Sequence, residues 1–231
     1  NKKMTKKNHQ VSVLFLLFAT LFTTSLIMAN LLATKQISFG PANFTGAIFV
    51  FPISYIVNDV VSEVWGFRRA KILIWMAFGL NFFFVILGWL IDLIPGVAWW
   101  QETPAGIGFH AIFGIAPRIV LASFLAFLVG SFLNAFVISK MKVRNNGEHF
   151  TVRAVLSTLL GEFCDSIIFF PVALLGIVPI DQMPSFVLWQ VCLKTAYEII
   201  ILPVTVKVVK WVKKVENVDV YDRDISYNIF R

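Results

Sequence analysis

Apolar residues run almost unbroken for more than twenty positions at six places in this chain: Val11 to Thr34, Gly46 to Gly66, Ala70 to Ile94, Ala116 to Ser139, Arg153 to Ile177 and Ser185 to Trp211. A helix needs roughly 20 such residues to cross the hydrocarbon of a bilayer, so each run predicts one crossing. The expected fold class is an all-α integral membrane protein with six transmembrane helices. The first run is too long for the apolar core of a signal peptide and is read as a span.

The polar positions between the runs test that count, because six spans must alternate the side of every loop. Lys2, Lys3, Lys6 and Lys7 mark the first end; Arg68, Arg69 and Lys71 mark the second loop. Lys140, Lys142, Arg144 and Arg153 mark the fourth, and Lys207, Lys210, Lys213 and Lys214 the last end. The intervening stretches, Gln36 to Thr45, Pro95 to Ile115 and Val178 to Pro184, hold no Lys or Arg, with Lys35 at the lip of the first. The alternation predicts cytoplasmic termini, with residues 1–10 a basic N-terminus, 11–214 the transmembrane domain and 215–231 a polar, loosely ordered tail. Trp99 and Trp100 are expected to lie along the outer interface.

Composition agrees. The chain is 58% hydrophobic and 14% charged, with a mean hydropathy of +0.79, whereas soluble domains are about 25% charged. The net charge of +7 sits in short segments beside the runs, so it reports orientation and not nucleic-acid binding. Cys164 and Cys192 fall mid-span and read as small buried apolar residues, not as a disulfide framework or zinc site. The chain has no HExxH, GxSxG or phosphate-binding Walker loop, and His9, His110 and His149 fall in loops or at ends. No enzyme, cofactor or metal is called for.

The chemistry lies in charges inside the runs. A charge at bilayer depth costs at least about 2.5–3.5 kcal/mol, so each needs a partner or a function. In PISYIVNDVVSEVWG, Pro52 to Gly66, Asp59 and Glu63 are four apart on one face with Tyr55 a turn earlier and Asn58 and Ser62 nearby. Glu162 and Asp165 share a face of the fifth run; Lys194 and Glu198 are four apart on the sixth. Asn30 lies in the first run, and Arg118 opens the fourth, near the outer side. At about 1.5 Å per residue, Asp59 lies about 10 Å inside Gly66 and Glu162 about 13 Å inside Arg153, so the two acidic faces meet at similar depth. Lys194 and Glu198 are expected to pair with each other, either permanently or as a switch that opens when helices move.

The segments ANLLATK (Ala29 to Lys35), PISYIVNDVVSEVWGFRRAK (Pro52 to Lys71), Arg118 with Ser123, and RAVLSTLLGEFCDS (Arg153 to Ser166) resemble the queuosine precursor transporter family, once grouped with vitamin uptake transporters. The resemblance covers about Val11 to Lys214. It implies a six-helix bundle similar to the substrate-binding subunits of energy-coupling-factor importers, taking up 7-deazaguanine bases across the inner membrane of bacteria to feed tRNA modification. A deazaguanine presents adjacent N–H donors that a carboxylate accepts in a pair, and a flat face that stacks on aromatic rings. On this reading the substrate residues are Asn30, Tyr55, Asn58, Asp59, Glu63, Arg118, Glu162 and Asp165, with Asp59 and Glu162 reading the base and Lys194 and Glu198 coupling. The implied partners are a small-molecule substrate and the bilayer, with a homodimer left open. Two alternatives stand beside it: a binding subunit that needs an ATPase module, and a structural membrane protein whose charges only hold helices together.

Overall fold

A computed structural model describes residues 12–33, 35–39, 42–114, 117–174, 180–181, 183–223 and 225–230. Its elements are α1 (Val13–Leu32), β1 (Gln36–Phe39), β2 (Ala42–Thr45), a 3-10 turn (Gly46–Phe49), α2 (Phe51–Trp65), α3 (Phe67–Asp92), α4 (Ala98–Gln101), α5 (Pro104–Phe113), α6 (Pro117–Arg144), α7 (Phe150–Leu174) and α8 (Met183–Glu216). Among the described residues, five stretches are long and apolar enough to cross a membrane: Val13–Leu32, Gly46–Trp65, Phe67–Asp92, Leu121–Arg144 and Phe150–Val172. Helix α8, whose 34 residues carry Lys194, Glu198 and a lysine-rich end, is not among them.

Helix α2 is the centre of the bundle. It packs against α1, α3, α6 and α8, while α7 closes the circle between α6 and α8. Its span is 67% buried by protein against 28% for that of α3, so the helix with two acids is the one most withdrawn from lipid. Val57, Val60, Val61 and Val64 of α2 pack with Phe22, Leu73 and Phe127 in the apolar core. Large apolar residues such as Leu17, Phe83 and Ile200 face outward, as a lipid-solvated surface requires.

Three expectations change. The basic residues Arg68, Arg69 and Lys71 are not in a loop: α2 and α3 are joined by Gly66 alone, at φ 80°, and the cations occupy the first turns of α3. Cations at a helix N-terminus oppose its dipole, and α3 has no cap from its own sequence. The compensation comes from the tail, where Asp222 accepts a hydrogen bond from the Phe67 amide (2.7 Å) and another from the Ser139 hydroxyl (2.5 Å). The tail is therefore not loose. Trp75 Nε1 donates to the Ile229 carbonyl (2.8 Å), Tyr227 packs on Phe67, and the Val220 amide donates to the Val64 carbonyl (3.1 Å). Third, the cysteines are free and not buried: Cys164 is half-buried and Cys192 exposed.

The uncharged stretch after α1 forms the antiparallel pair β1–β2, with Gln36 opposite Thr45. The Pro95 to Ile115 stretch contains α4 and α5. Thr103 caps α5, and Phe113 presses on Gly88 of α3, where any Cβ would come within 2.2 Å of the ring. Trp99 is largely exposed there.

Candidate functional site

Six ionisable residues of the predicted set, Asp59, Glu63, Glu162, Asp165, Lys194 and Glu198, are all buried, and the helices sort them into two groups. Glu63 belongs to the first. Arg153 from α7 clamps it with both guanidinium nitrogens, Lys213 from α8 donates to Oε1 (2.7 Å), and Lys142 from α6 bonds to its backbone carbonyl. Lys142 and Lys213 also bind Asp219 of the tail. Burial alone would raise the Asp219 carboxyl, but the hydrogen bonds and charges of Lys142 and Lys213 hold it below its ordinary value. Five elements thus share one ion-pair knot. The structure pairs Glu63 with these cations, one turn along α2 from Asp59, and not with Lys194. Lys142 and Arg153, read in the sequence as loop charges, are 1% and 0% exposed, held by the distant Glu63 and Asp219 carboxylates together with backbone carbonyls.

The second group lies deeper. Lys194 of α8 does not pair with Glu198. Its ammonium bonds Glu162 Oε2 (2.6 Å) and reaches Asp165 Oδ2 (3.4 Å), and it sits 4.0 Å from the centre of the Phe51 ring. The i, i+4 spacing places Lys194 and Glu198 on one face, but the acids of α7 stand closer to the lysine. Glu162 Oε1 is buried with no hydrogen-bond partner. Tyr55, buried beside it, also has an unpartnered hydroxyl and lies within electrostatic reach of Glu162 and Asp165. Two glycines make room for that ring: a Cβ at Gly130 would come 2.4 Å from Tyr55 Oη, and one at Gly161 2.9 Å from Tyr55 Cε1. Phe51 and Tyr55 stand 5.6 Å apart on α2.

Asp59 and Glu198 complete this group from opposite sides. Asn134 Nδ2 donates to Asp59 Oδ1 (2.7 Å), leaving Oδ2 unpartnered. Glu198 looks onto Asp59 and Thr158 without closing a hydrogen bond of normal geometry to either, so both its oxygens are unsatisfied. Asn58 Nδ2 donates to the Ser131 carbonyl (3.0 Å), and its Oδ1 is free. Asn30 joins a separate cross-link, donating to Asn81 (2.9 Å) and accepting from Ser123 (3.2 Å). Arg118 stands on the first turn of α6, but its side chain lies outside the described residues. Two open grooves, of about 440 and 460 Å³, run along the tail, whereas Asp59, Glu162 and Glu198 are closed off from solvent, at 0%, 0% and 2% exposed.

Unsatisfied polar atoms at this density are uncommon in protein interiors, where each costs free energy, and here they concentrate on the four facing helices α2, α6, α7 and α8. The chain matches the putative vitamin uptake transporter family over residues 45–208, which includes Asp59, Glu63, Glu162, Asp165 and Glu198. It belongs to that family. A probable queuosine precursor transporter of Bacillus subtilis (strain 168) is 27% identical over 190 residues, 77% of this chain and 76% of the relative. The queuosine precursor transporter of Escherichia coli (strain K12) is 26% identical over 158 residues, 68% of this chain and 66% of the relative. No solved structure matches significantly. The protein is thus a multi-pass membrane transporter and not an enzyme.

Proposed function

We propose that this family member takes up a queuosine precursor, a 7-deazaguanine base, across the bacterial cytoplasmic membrane, using a six-span bundle in which α8 is the sixth crossing and both termini are cytoplasmic. The observation that carries the substrate class is Glu162: a buried carboxylate with one oxygen free, beside the unpartnered Tyr55 hydroxyl and the Phe51 ring. Such a carboxylate accepts the paired donors of a guanine-like edge, and the rings offer stacking worth about 1–3 kcal/mol per base. Lys194 stands between Glu162 and Asp165. Sliding toward Asp165 frees the second Glu162 oxygen, so the base edge replaces the ammonium without stranding either charge.

In this reading Glu162, Asp165, Tyr55 and Asn58 face the substrate. Glu63 is assigned to closing the cytoplasmic end, and Asp59 to the partner discussed below. The test is purified protein alone in liposomes with labelled queuine. Entry is expected without any added ATPase, and entry only with an energy-coupling module would overturn the self-sufficient reading in favour of a binding subunit.

A further inference from the structure

We propose that Asp59 and Glu198 together hold a proton at the centre of the bundle, and that an inward proton gradient drives accumulation of the substrate. This rests on the transport reading above. The two carboxyls face each other from α2 and α8, 0% and 2% exposed, and neither has a cation opposite it. Among the described residues the buried cations are engaged elsewhere: Lys194 by Glu162 and Asp165, and Arg153, Lys142 and Lys213 by Glu63 and Asp219. What faces the pair is neutral or negative. The Asn134 amide comes from α6 and the Thr158 hydroxyl from α7; Glu63 acts on Asp59 along its own helix and Glu162 lies within reach of Glu198.

Two facing carboxylates in a dry interior with no cation between them cannot both stay ionised, because nothing compensates their repulsion. One proton resolves it. It makes one carboxyl an O–H donor to the other and satisfies an oxygen on each, joining α2 to α8. A sodium ion would need several oxygens around a void, yet the acids here are packed shut, and the Asn134 amide points a donor at Asp59. Among the described residues no group of three His, Cys, Asp or Glu side chains is arranged to hold a metal ion. The proton arrives from external water onto one carboxyl oxygen and is shared while the helices are closed. It returns to cytoplasmic water when α2 and α8 part. The deprotonated pair then repels, which favours the parted state until another proton binds.

Full-length protein in liposomes, probed with labelled queuine, tests the proposal. With the outside one pH unit more acidic and the membrane potential clamped at zero, accumulation of about tenfold is expected for one proton per substrate molecule. An inward sodium gradient should drive none. Glu198→Gln is expected to exchange labelled for unlabelled queuine across the membrane but to lose accumulation under the pH gradient. Infrared spectroscopy gives a readout that needs no substrate: the native protein should show the carbonyl band of a protonated carboxylic acid, shifting in deuterium oxide and absent from Asp59→Asn/Glu198→Gln. Sodium-driven accumulation, accumulation by Glu198→Gln equal to native, or identical infrared spectra would each overturn the proton site. If native protein fails even to exchange queuine, the substrate reading falls and the infrared comparison alone decides the proton site. If the variants do not fold, the native response to the two gradients decides.

Discussion

Glu162 and Glu63 are both fully buried carboxylates in one bundle, yet replacing each by Gln is expected to do different things. Glu162→Gln keeps the shape but presents a donor to a substrate edge made of donors, while Asp165 still holds Lys194. Hydrogen bonds to a charged group contribute about 1.5–3 kcal/mol, so uptake of labelled queuine is expected to fall roughly ten- to a hundredfold with a near-native melting temperature. Unchanged uptake would remove Glu162 from the site. Glu63→Gln leaves Arg153 buried without its anion, while Lys213 keeps Asp219, a loss of about 3–5 kcal/mol for breaking a buried pair from one side. Thermal stability in detergent should drop sharply while the surviving folded fraction still exchanges substrate. A stable but exchange-dead Glu63→Gln would return Glu63 to the ligand role suggested by the sequence.

The Gly66 hinge and the tail form one device at the level of elements. A Cβ on Gly66 would sit 2.8 Å from both Asp222 Oδ1 and Val220 Cγ1, and the residue's φ of 80° disfavours any side chain. Asp222→Ala removes the cap of α3 and the Ser139 bond together. Loss of a helix cap typically costs about 0.5–2 kcal/mol, and a matching fall in stability is expected, with the tail becoming open to limited proteolysis from the cytoplasmic side. Asp219 gives this docking a pH dependence. Its carboxyl titrates below the ordinary value in the folded protein, so its contribution is complete above about pH 4, the unfolded range, and is lost as pH falls through the depressed value. Proteolysis of the tail should therefore be flat from neutral pH down to about 4 and rise only below it. A rise between pH 7 and 5 would show another group in control.

For the whole molecule, the proposed six crossings would put Gln101 and position 182 outside and Asn145 inside. Membrane-impermeant labelling of Gln101→Cys and Gln182→Cys on intact cells should succeed, and labelling of Asn145→Cys should fail; the opposite pattern would reverse the orientation. Five of the six expected spans were legible in the sequence because a bilayer imposes one requirement, about 20 apolar residues per crossing, that each of the five meets locally among the described residues. Asp59, Glu162, Lys194 and Glu198 were equally legible as exceptions, since charges in apolar runs stand out whatever they touch. Their partners were not. Whether Lys194 meets Glu198 one turn away or Glu162 across the bundle depends on how α7 and α8 are rotated, which no local pattern encodes. The same holds for Arg153 and Lys142, which read as loop charges until Glu63 and Asp219 are seen to draw them inward, and for the tail, whose polar composition conceals a cap for α3 supplied from 155 positions away. The sequence by itself determined a membrane-spanning helical transporter with acids at its centre. Only the tertiary structure decided which acids are neutralised by cations and which face each other without one, because electrostatic partnership in a dry interior is settled by distance in space and not by distance along the chain.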